Sequence, residues 1–359
     1  MLETYFIYNF IMLCGIFFAF VKQNTHSIIF KVASSLMLVF VIWIPSGIRY
    51  GIGTDYFSYL RIFQSALEGR VTTEIGYYLI NYLVVVTGGE GYYIFLISSL
   101  IIALVIVINM PRHYSCLYVL IFFCMIYLPS FSLVRQSLAV VFLLVSIKHA
   151  IENKILLSYF FALVAISFHL SSLLILPFII LRKVRVPPLL ALCMIVFCII
   201  FFLSTNILQD IINSSFIAST KYGFYADTKF GGEAIIGTGG GVLIKALLPL
   251  MILLQSSKIV KSQPNCNIII LLSIVAICAS IASLRIHIFS RVSDLFMFLP
   301  LLGVTYLMNS FSKKITKQIC ACLIFLSMIV LFERTIATNL SENNSGLGVS
   351  PYTTIFDVR

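Results

Sequence analysis

The chain has 359 residues, of which 60% are hydrophobic and 10% charged, with a formal net charge of +11 and a mean hydropathy of +1.07. Apolar runs of roughly 20 residues, the length that crosses a bilayer as a helix, recur along the whole chain. The composition excludes a separate soluble module. It predicts an all-α polytopic integral membrane protein: one membrane domain, residues 1–359, with about 11 to 13 transmembrane or re-entrant helices.

The apolar runs define candidate spans in chain order. The first is interpreted as a retained helix, because it lacks the small-residue cleavage site of a signal peptide. Ile155–Leu181 is long enough for a broken pair of helices, and Gly76–Val86 is too short for an ordinary span. The candidate spans are Tyr5–Val21, Val32–Ile48, Tyr92–Met110, Ser115–Pro129, Leu133–Ile147, Ile155–Leu181, Pro188–Asn206, Gly241–Ser256, Asn267–Leu284, Ser290–Asn309 and Thr316–Phe332.

Lys and Arg residues predict the orientation, because the cytoplasmic loops of membrane proteins carry an excess of them. If both termini are extracytoplasmic and Ile155–Leu181 enters and returns, the inner loops hold more than half of the 24 cations and a single acid, Glu152. The basic charge is then an orientation signal, and no nucleic-acid motif accompanies it. In a rival topology Gly76–Val86 crosses and Ile155–Leu181 is one helix. We prefer the first, which gathers the unexplained polar residues on one face.

Three segments on the predicted outer side are long: the loops 45–75 and 207–240, and the tail 333–359. Within the first loop, Phe57–Leu67 has the pattern of a short amphipathic helix. Long loops are where binding groups and lids are found, so we expect substrate to be handled on this side.

The segment Arg49–Tyr56 places a cation, a carboxylate and two phenols on a Gly-rich backbone directly after an apolar run. An ionisable group at membrane depth is costly unless it is paired or hydrated, so Arg49, Asp55 and Tyr56 are candidate functional residues. The alternative is an interfacial belt, in which Arg snorkels and Tyr lies at headgroup level.

Polar residues also stand inside predicted spans. Arg135 and Gln136 lie near the start of one span, where a guanidinium fork suits two phosphate oxygens, although a snorkelling Arg would look the same. His169 lies midway along Ile155–Leu181. Its neighbouring serines would satisfy a core histidine, and an imidazole equally suits a proton acceptor or a phosphate donor.

A third polar group straddles the turn before the last two spans: Arg285, His287, Arg291 and Asp294. These residues form either an anion site or a structural ion pair of Arg291 with Asp294, which are three residues apart.

Aromatic and acidic residues of the outer loops are candidates for sugar binding. Glu74 follows the first outer segment, and Tyr222 and Tyr225 lie in the largest loop. Interfacial tyrosines are the alternative interpretation.

The sequence lacks the motifs of several other enzyme classes. It contains no Asp-x-Asp, the carboxylate pair with which many nucleotide-sugar transferases hold a metal ion, and no His-Glu-x-x-His or Gly-x-Ser-x-Gly. The glycine run Gly237–Gly241 lacks the Gly-Lys-Ser/Thr ending of a phosphate loop. Eight of the nine cysteines lie within apolar runs and no Cys-x-x-Cys occurs, so we expect no cofactor and no metal.

Four strings carry a family resemblance. They are Arg49…Gly53-Thr54-Asp55-Tyr56…Tyr59, Glu74…Tyr77, Leu133-Val134-Arg135-Gln136-Ser137-Leu138-Ala139 and Phe168-His169-Leu170-Ser171, with looser echoes in Lys221-Tyr222…Tyr225 and Arg291. In this order, over most of the chain, they resemble the EpsG/Wzy group of bacterial polysaccharide polymerases.

The resemblance implies a metal-independent glycosyltransferase of GT-C-like architecture in the bacterial cytoplasmic membrane. Such enzymes transfer a glycan chain from undecaprenyl pyrophosphate onto a lipid-linked oligosaccharide repeat unit at the outer face, making O-antigen, capsule or exopolysaccharide. The implied partners are the lipid-linked oligosaccharide, membrane lipid, and the proteins that flip the units and set chain length.

The resemblance also implies roles for the candidate residues. Arg49, Arg135 and Arg291 would stabilise the leaving diphosphate. Asp55 is the preferred base for the acceptor proton, and His169 is either the base or a phosphate or acceptor contact. The other candidates would bind substrate: Tyr56, Glu74, Gln136, Tyr222, Tyr225, Arg285 and Asp294.

Three other functions stay open. An O-antigen ligase shares the donor and the topology. A lipid-linked oligosaccharide flippase or other transporter needs polar groups along a transmembrane path, and spans such as Tyr92–Met110 carry almost none. A membrane acyltransferase needs an acyl-donor motif on the inner side, and we find none.

Overall fold

The computed structural model describes residues 2–204, 240–285, 288–338 and 346–357. These ranges form helices joined by turns, and their only β contact is an isolated bridge between Arg49 and Thr354. The helices are α1 (Leu2–Asn24), α2 (Ile28–Gly47), α3 (Tyr56–Leu67), α4 (Ile75–Val86), α5 (Tyr93–Ile108), α6 (Ser115–Phe122), α7 (Val134–Ile151), α8 (Ile155–Phe168), α9 (Leu176–Ile180), α10 (Pro188–Ser204), α11 (Gly240–Leu254), α12 (Ser256–Ser262), α13 (Asn267–Ala282), α14 (Ile288–Asp294), α15 (Phe298–Ser310) and α16 (Lys314–Ala337).

Six helical segments of the described chain are long and apolar enough to cross a membrane, and α11 with α12, bent by 60°, is either a broken seventh span or a re-entrant loop. The prediction of an all-α polytopic membrane protein is therefore confirmed. The six segments are Leu2–Asn24, Ile28–Gly47, Val134–Ile151, Pro264–Ala282, Phe289–Ser310 and Lys314–Ala337. The shorter apolar helices are Ile75–Val86, Tyr93–Ile108, Ser115–Phe131, Ile155–Phe168 and Pro188–Phe202.

Helix α1 shows how the apolar faces are arranged. Large side chains on one face, including Phe6, Leu13 and Phe17, are exposed. The opposite face, with Tyr8 and Met12, is buried in the protein. Exposed apolar side chains at helical spacing are stable in lipid and unstable in water, so this face fits a bilayer.

The described chain divides into two compact units, and each is described by itself. The first unit comprises Met1–Lys148, Leu156–Ile175 and Gln318–Arg359, and the second comprises His149–Ile155 and Leu176–Lys317. The expectation of a single membrane domain stays a prediction.

Segments predicted to face outside meet at one end of the first unit. The guanidinium of Arg49 contacts the carbonyl of Phe131 (3.4 Å). The Tyr50 amide donates to the carbonyl of Thr353 in the C-terminal tail (2.9 Å). The first outer loop, the turn before α7 and the tail therefore pack together.

Segments predicted to face inside meet at the opposite end of the same unit. Lys148 Nζ donates to Asn109 Oδ1 (3.1 Å). The amide of Ser115 donates to Gln23 Oε1 (2.8 Å). The two ends of this unit are thus divided as the charge pattern indicates.

Helices α3 and α4 pack as a hairpin, and the amphipathic helix predicted at Phe57–Leu67 is confirmed as α3. Trp43 Nε1 donates to the Leu96 carbonyl (2.9 Å), so α5 begins beside the end of α2. A Cβ at Gly91, just before α5, would lie 3.0 Å from Leu60 of α3. The chain therefore returns after α4 to the end of the unit at which α3 begins.

The long run Ile155–Leu181 is broken, as predicted. Helix α8 ends at Phe168, and a 3-10 segment, Leu170–Ile175, leads into α9. Beyond α9, Arg182 Nη2 contacts Asn153 Oδ1 at 3.5 Å. The segment therefore ends near the residue at which it starts.

The second unit is organised around α13, most of whose side chains are buried. Helices α10, α11 and α15 pack against it. Gly303 of α15 allows close approach, because a Cβ there would overlap the side chain of Ile252 on α11.

Candidate functional site

Three ionisable side chains from three separate segments meet at the end of the first unit that is predicted to face outside. Arg135 Nη1 donates to Glu74 Oε2 (2.6 Å). The other carboxylate oxygen, Oε1, lies 4.0 Å from Nδ1 of His169, a distance suited to an ion pair rather than a hydrogen bond. The side chains of Arg135 and His169 are 31% and 26% exposed, so a ligand can reach both.

Arg135 has further polar contacts that hold its guanidinium in place. Its Nη1 also donates to Thr73 Oγ1 (3.0 Å), and the hydroxyl of Tyr59 hydrogen-bonds to the same side chain. That hydroxyl donates onward to the carbonyl of Ser132 (3.2 Å). The orientation of Arg135 is thus set by neighbours before any substrate binds.

The local sequence explains why Glu74 and His169 lie together. Glu74 directly precedes α4, and His169 directly follows α8. Gly76 in the first turn of α4 has no side chain, and a Cβ there would lie 2.5 Å from Ser167 Oγ. The glycine therefore lets the start of α4 approach the end of α8 closely enough to join the two polar groups.

Arg135 stands where a helix restarts after a break. A π-turn, Phe123–Tyr127, and a 3-10 turn that begins with Pro129 end the helix that starts as α6. Pro129 has no amide hydrogen to continue the helical bonds. Helix α7 then begins at Val134, which places Arg135 in its first turn.

The electrostatics of the cluster favour an ionised Glu74. Burial has the largest single effect and raises the pKa of this carboxyl, but the charges of Arg135 and His169 and the hydrogen bonds from a backbone amide and Thr73 together outweigh it, so the pKa of Glu74 lies below its ordinary value. Glu74 therefore remains an anion at neutral pH and faces both cationic groups.

Arg49 is enclosed and differs in this from Arg135. Arg49 is 2% exposed, and the central carbon of its guanidinium lies 4.6 Å from the ring centroid of Phe95 and 4.8 Å from that of Phe131. It donates to the carbonyls of Ser46 and Phe131. Among the described residues it has no carboxylate partner, and its Nε makes no hydrogen bond. Carbonyls and aromatic faces thus compensate this charge.

The remaining candidates of the first unit lie close by. Asp55 is half-buried before α3. Tyr56 is buried and stacked on Phe95, with ring centroids 4.5 Å apart. Gln136 is 5% exposed in the first turn of α7. Their substrate contacts stay predictions, and the packing of Tyr56 offers a sugar no free ring face.

The second unit contains Arg285, Arg291 and Asp294. The first two are half-buried. Asp294 is buried and pairs with Lys245 Nζ of α11 (2.8 Å), a partner that the sequence analysis did not identify. Participation of these three residues in a diphosphate site stays a prediction. Tyr222, Tyr225 and His287 lie outside the described residues.

Two parts of the site could not be predicted from the sequence. Ser132 is fully buried and bonds both to the first outer loop and to the tail, yet nothing distinguishes it from other serines in the chain. The tail residues that contact this loop are more than 290 positions away, so no local pattern could connect them. The sequence signal available was a glycine at position 348, which adopts a left-handed backbone in the structure (φ 66°).

The cluster combines two chemical capabilities. The guanidinium of Arg135 can contact two oxygens of an anion, and Glu74 with His169 can relay a proton.

No curated protein and no solved structure matches the chain. The model of the EpsG family matches residues 32–354, which contain every residue of this cluster. The chain therefore belongs to the EpsG family, a Wzy-like family of membrane polysaccharide polymerases.

Proposed function

We propose that this polymerase transfers a growing glycan from a lipid diphosphate to a lipid-linked repeat unit, at the outer face of the bacterial cytoplasmic membrane. The proposal rests on one observation. In this member of the EpsG family, the partly exposed side chain of Arg135 lies beside Glu74 and His169. Undecaprenyl pyrophosphate is the donor that the family resemblance implies.

The acceptor hydroxyl attacks the anomeric carbon of the donor glycan in this proposal. The new glycosidic C–O bond forms while the bond from that carbon to the phosphate oxygen breaks, and its electron pair leaves with the diphosphate. Arg135 stabilises the charge that develops on the leaving group, which is the task of a preorganised donor. No step assigned to these residues requires a metal ion.

His169 is the base that we assign, in place of Asp55. Its Nδ1 faces Glu74, so the imidazole can take the acceptor proton on Nε2, and the anionic Glu74 then stabilises the imidazolium. Arg49 is assigned a structural role, because its guanidinium is enclosed by Phe95 and Phe131.

The test compares Arg135→Ala and Arg135→Lys with Arg61→Ala in cells whose own copy is deleted. Arg61 is exposed and its side chain bonds only to Ser58 on the same helix, so it is a control for losing a surface cation. We expect Arg135→Ala to lower the polymerisation rate by about 10²–10³-fold. Arg135→Lys should retain only part of the rate, because an ammonium lacks the planar fork.

The readout is the length distribution of surface polysaccharide on a gel, together with the glycans that remain on lipid. A polymerase that has lost Arg135 accumulates single lipid-linked repeat units, whereas a defective ligase accumulates long lipid-linked chains. Full-length ladders from both Arg135 variants at normal protein level would contradict the proposal.

A further inference from the structure

The described part of the C-terminal tail from Leu347 to Ile355 is hydrogen-bonded to the first outer loop. The amide of Gly53 donates to the Gly348 carbonyl (2.7 Å), and the amide of Thr54 donates to the Leu347 carbonyl (3.2 Å). Further along, the amide of Ile355 donates to the Ile48 carbonyl (2.9 Å). The tail therefore supplies hydrogen-bond partners for backbone amides and carbonyls of the loop that have no partner within the loop.

Two glycines make this approach possible. A Cβ at Gly348 would lie 3.0 Å from the amide nitrogen of Thr54. A Cβ at Gly53 would overlap the carbonyl of Phe131. Both residues have positive φ angles, of 66° and 102°. Tail, loop and the turn before α7 thus meet backbone to backbone.

Ser132 joins the tail to the loop and to the turn. Its hydroxyl donates to the carbonyl of Leu347 and accepts from the amide of Thr54 (3.1 Å). Its own carbonyl accepts from the hydroxyl of Tyr59 (3.2 Å), and Tyr59 hydrogen-bonds to Arg135. The residues Ser132 and Tyr59 therefore connect the tail to the guanidinium of Arg135.

Aromatic residues fasten the middle of the tail. The hydroxyl of Tyr352 donates to the Pro45 carbonyl (2.8 Å), and the hydroxyl of Tyr8 donates to the Val349 carbonyl (2.6 Å). The rings of Tyr8 and Tyr352 meet edge to face, with centroids 5.5 Å apart. Val349 is fully buried, so this part of the tail is built into the protein.

We propose that the tail segment Leu347–Ile355, acting through the positioning residue Ser132, sets the place of Arg135 and is thereby part of the polymerase site. The inference rests on the proposed function, since it concerns the residue assigned to the diphosphate. Displacing a reacting group by about 1 Å can cost about 10²-fold in rate.

The experiment uses the full-length purified protein in lipid nanodiscs and lipid-linked repeat units extracted from a polymerase-deletion strain. The variants are Ser132→Ala and Gly348→Ala, each with a matched control. Ser130→Ala removes a buried hydroxyl that bonds only to the Tyr127 carbonyl. Gly88→Ala has the same left-handed backbone (φ 69°) with nothing within 4 Å of the added methyl group.

We expect Ser132→Ala and Gly348→Ala to lower the initial rate by about 10–100-fold, whereas the two controls stay within about twofold of wild type. The acid limb of the pH–rate profile adds a readout that general destabilisation does not move. If Arg135 leaves Glu74, the neighbouring pair of His169 and Glu74 loses a nearby cation, so the pair binds a proton at higher pH and the acid limb moves to higher pH. It should not move in Ser130→Ala or Gly88→Ala.

A wild-type rate and acid limb in folded Ser132→Ala would overturn the inference. If Ser132→Ala is not recovered as folded protein, the glycine pair decides, and equal rates of Gly348→Ala and Gly88→Ala would overturn it. Arg135→Ala, run in parallel, separates the two hypotheses. An active Arg135→Ala refutes the proposed function, and an inactive one with unaffected Ser132→Ala refutes only the role of the tail.

Discussion

Arg135 and Glu74 form an ion pair of 2.6 Å between the first turn of α7 and the residue before α4. The pair is only partly shielded, with the two side chains 31% and 17% exposed. An ion pair between rigid helix ends fixes the positions of both groups before a ligand binds. Two mobile surface side chains would instead lose conformational entropy when the ligand orders them.

The Glu74 pair should appear in the pH dependence of stability. Because the folded protein has a lowered Glu74 pKa, the pair contributes stability that is present above the unfolded value of 4.5 and is lost as pH falls through the folded pKa. We expect Glu74→Gln to reduce the free energy of unfolding by about 1.5–3 kcal/mol at pH 7. The difference from wild type should shrink below pH 4.5.

Thermal unfolding of purified protein followed by circular dichroism measures this effect. Glu68→Gln is the matched control, because Glu68 forms an exposed pair with Arg70 and should change little at any pH. A Glu74→Gln deficit that persists unchanged at pH 3.5 would show that the carboxylate charge is not its source.

His169 should be required for transfer, whereas a second histidine in a similar pair should not. His149 Nδ1 lies 3.4 Å from Glu152 Oε2 near the end of α7, on the predicted inner side. We expect His169→Asn to lower the polymerisation rate by about 10²–10⁴-fold, the range for losing a general base. His149→Asn should retain normal rates in the same nanodisc assay, and equal losses in both variants would remove the base assignment.

Arg49 should be needed for folding more than for chemistry. Its enclosed guanidinium is held by two aromatic faces and two carbonyls, so Arg49→Ala leaves a cavity and unpaired acceptors. We expect a loss of about 3–5 kcal/mol, comparable to breaking a buried polar network. Folded yield after detergent extraction should fall further in Arg49→Ala than in Arg135→Ala, which loses a partly exposed ion pair. Stable but inactive Arg49→Ala protein would instead support a role in diphosphate binding.

Gly53 should tolerate no side chain, whereas Gly69, which also has a left-handed backbone, should tolerate one. Gly53→Ala drives a methyl group into the Phe131 carbonyl, whereas Gly69→Ala, at φ 73°, has nothing within 4 Å. Both changes add the strain of a left-handed residue, roughly 1–2 kcal/mol. Only Gly53→Ala should displace the turn before Arg135 and abolish long polysaccharide ladders. Equal ladders from the two variants would show that the backbone near Phe131 shifts to accommodate the methyl group without loss of activity.

Hydropathy and charge are local properties, and they sufficed to predict the membrane class, most helix positions and the break at His169. They also predicted that Arg49, Glu74, Arg135 and His169 lie at the same end of the first unit, because the spacing of apolar runs places alternate loops together. The contacts of these residues follow from tertiary packing.

Arg49 and Arg135 show what only the tertiary structure decided. Each stands at one end of an apolar run, so the sequence makes them equivalent candidates. Packing of Phe95, Phe131 and the distant tail encloses the first, whereas the second keeps an open side next to Glu74. Burial depends on which remote segments cover a residue, and the Gly76 and Gly348 contacts that bring those segments together involve residues far apart in the chain.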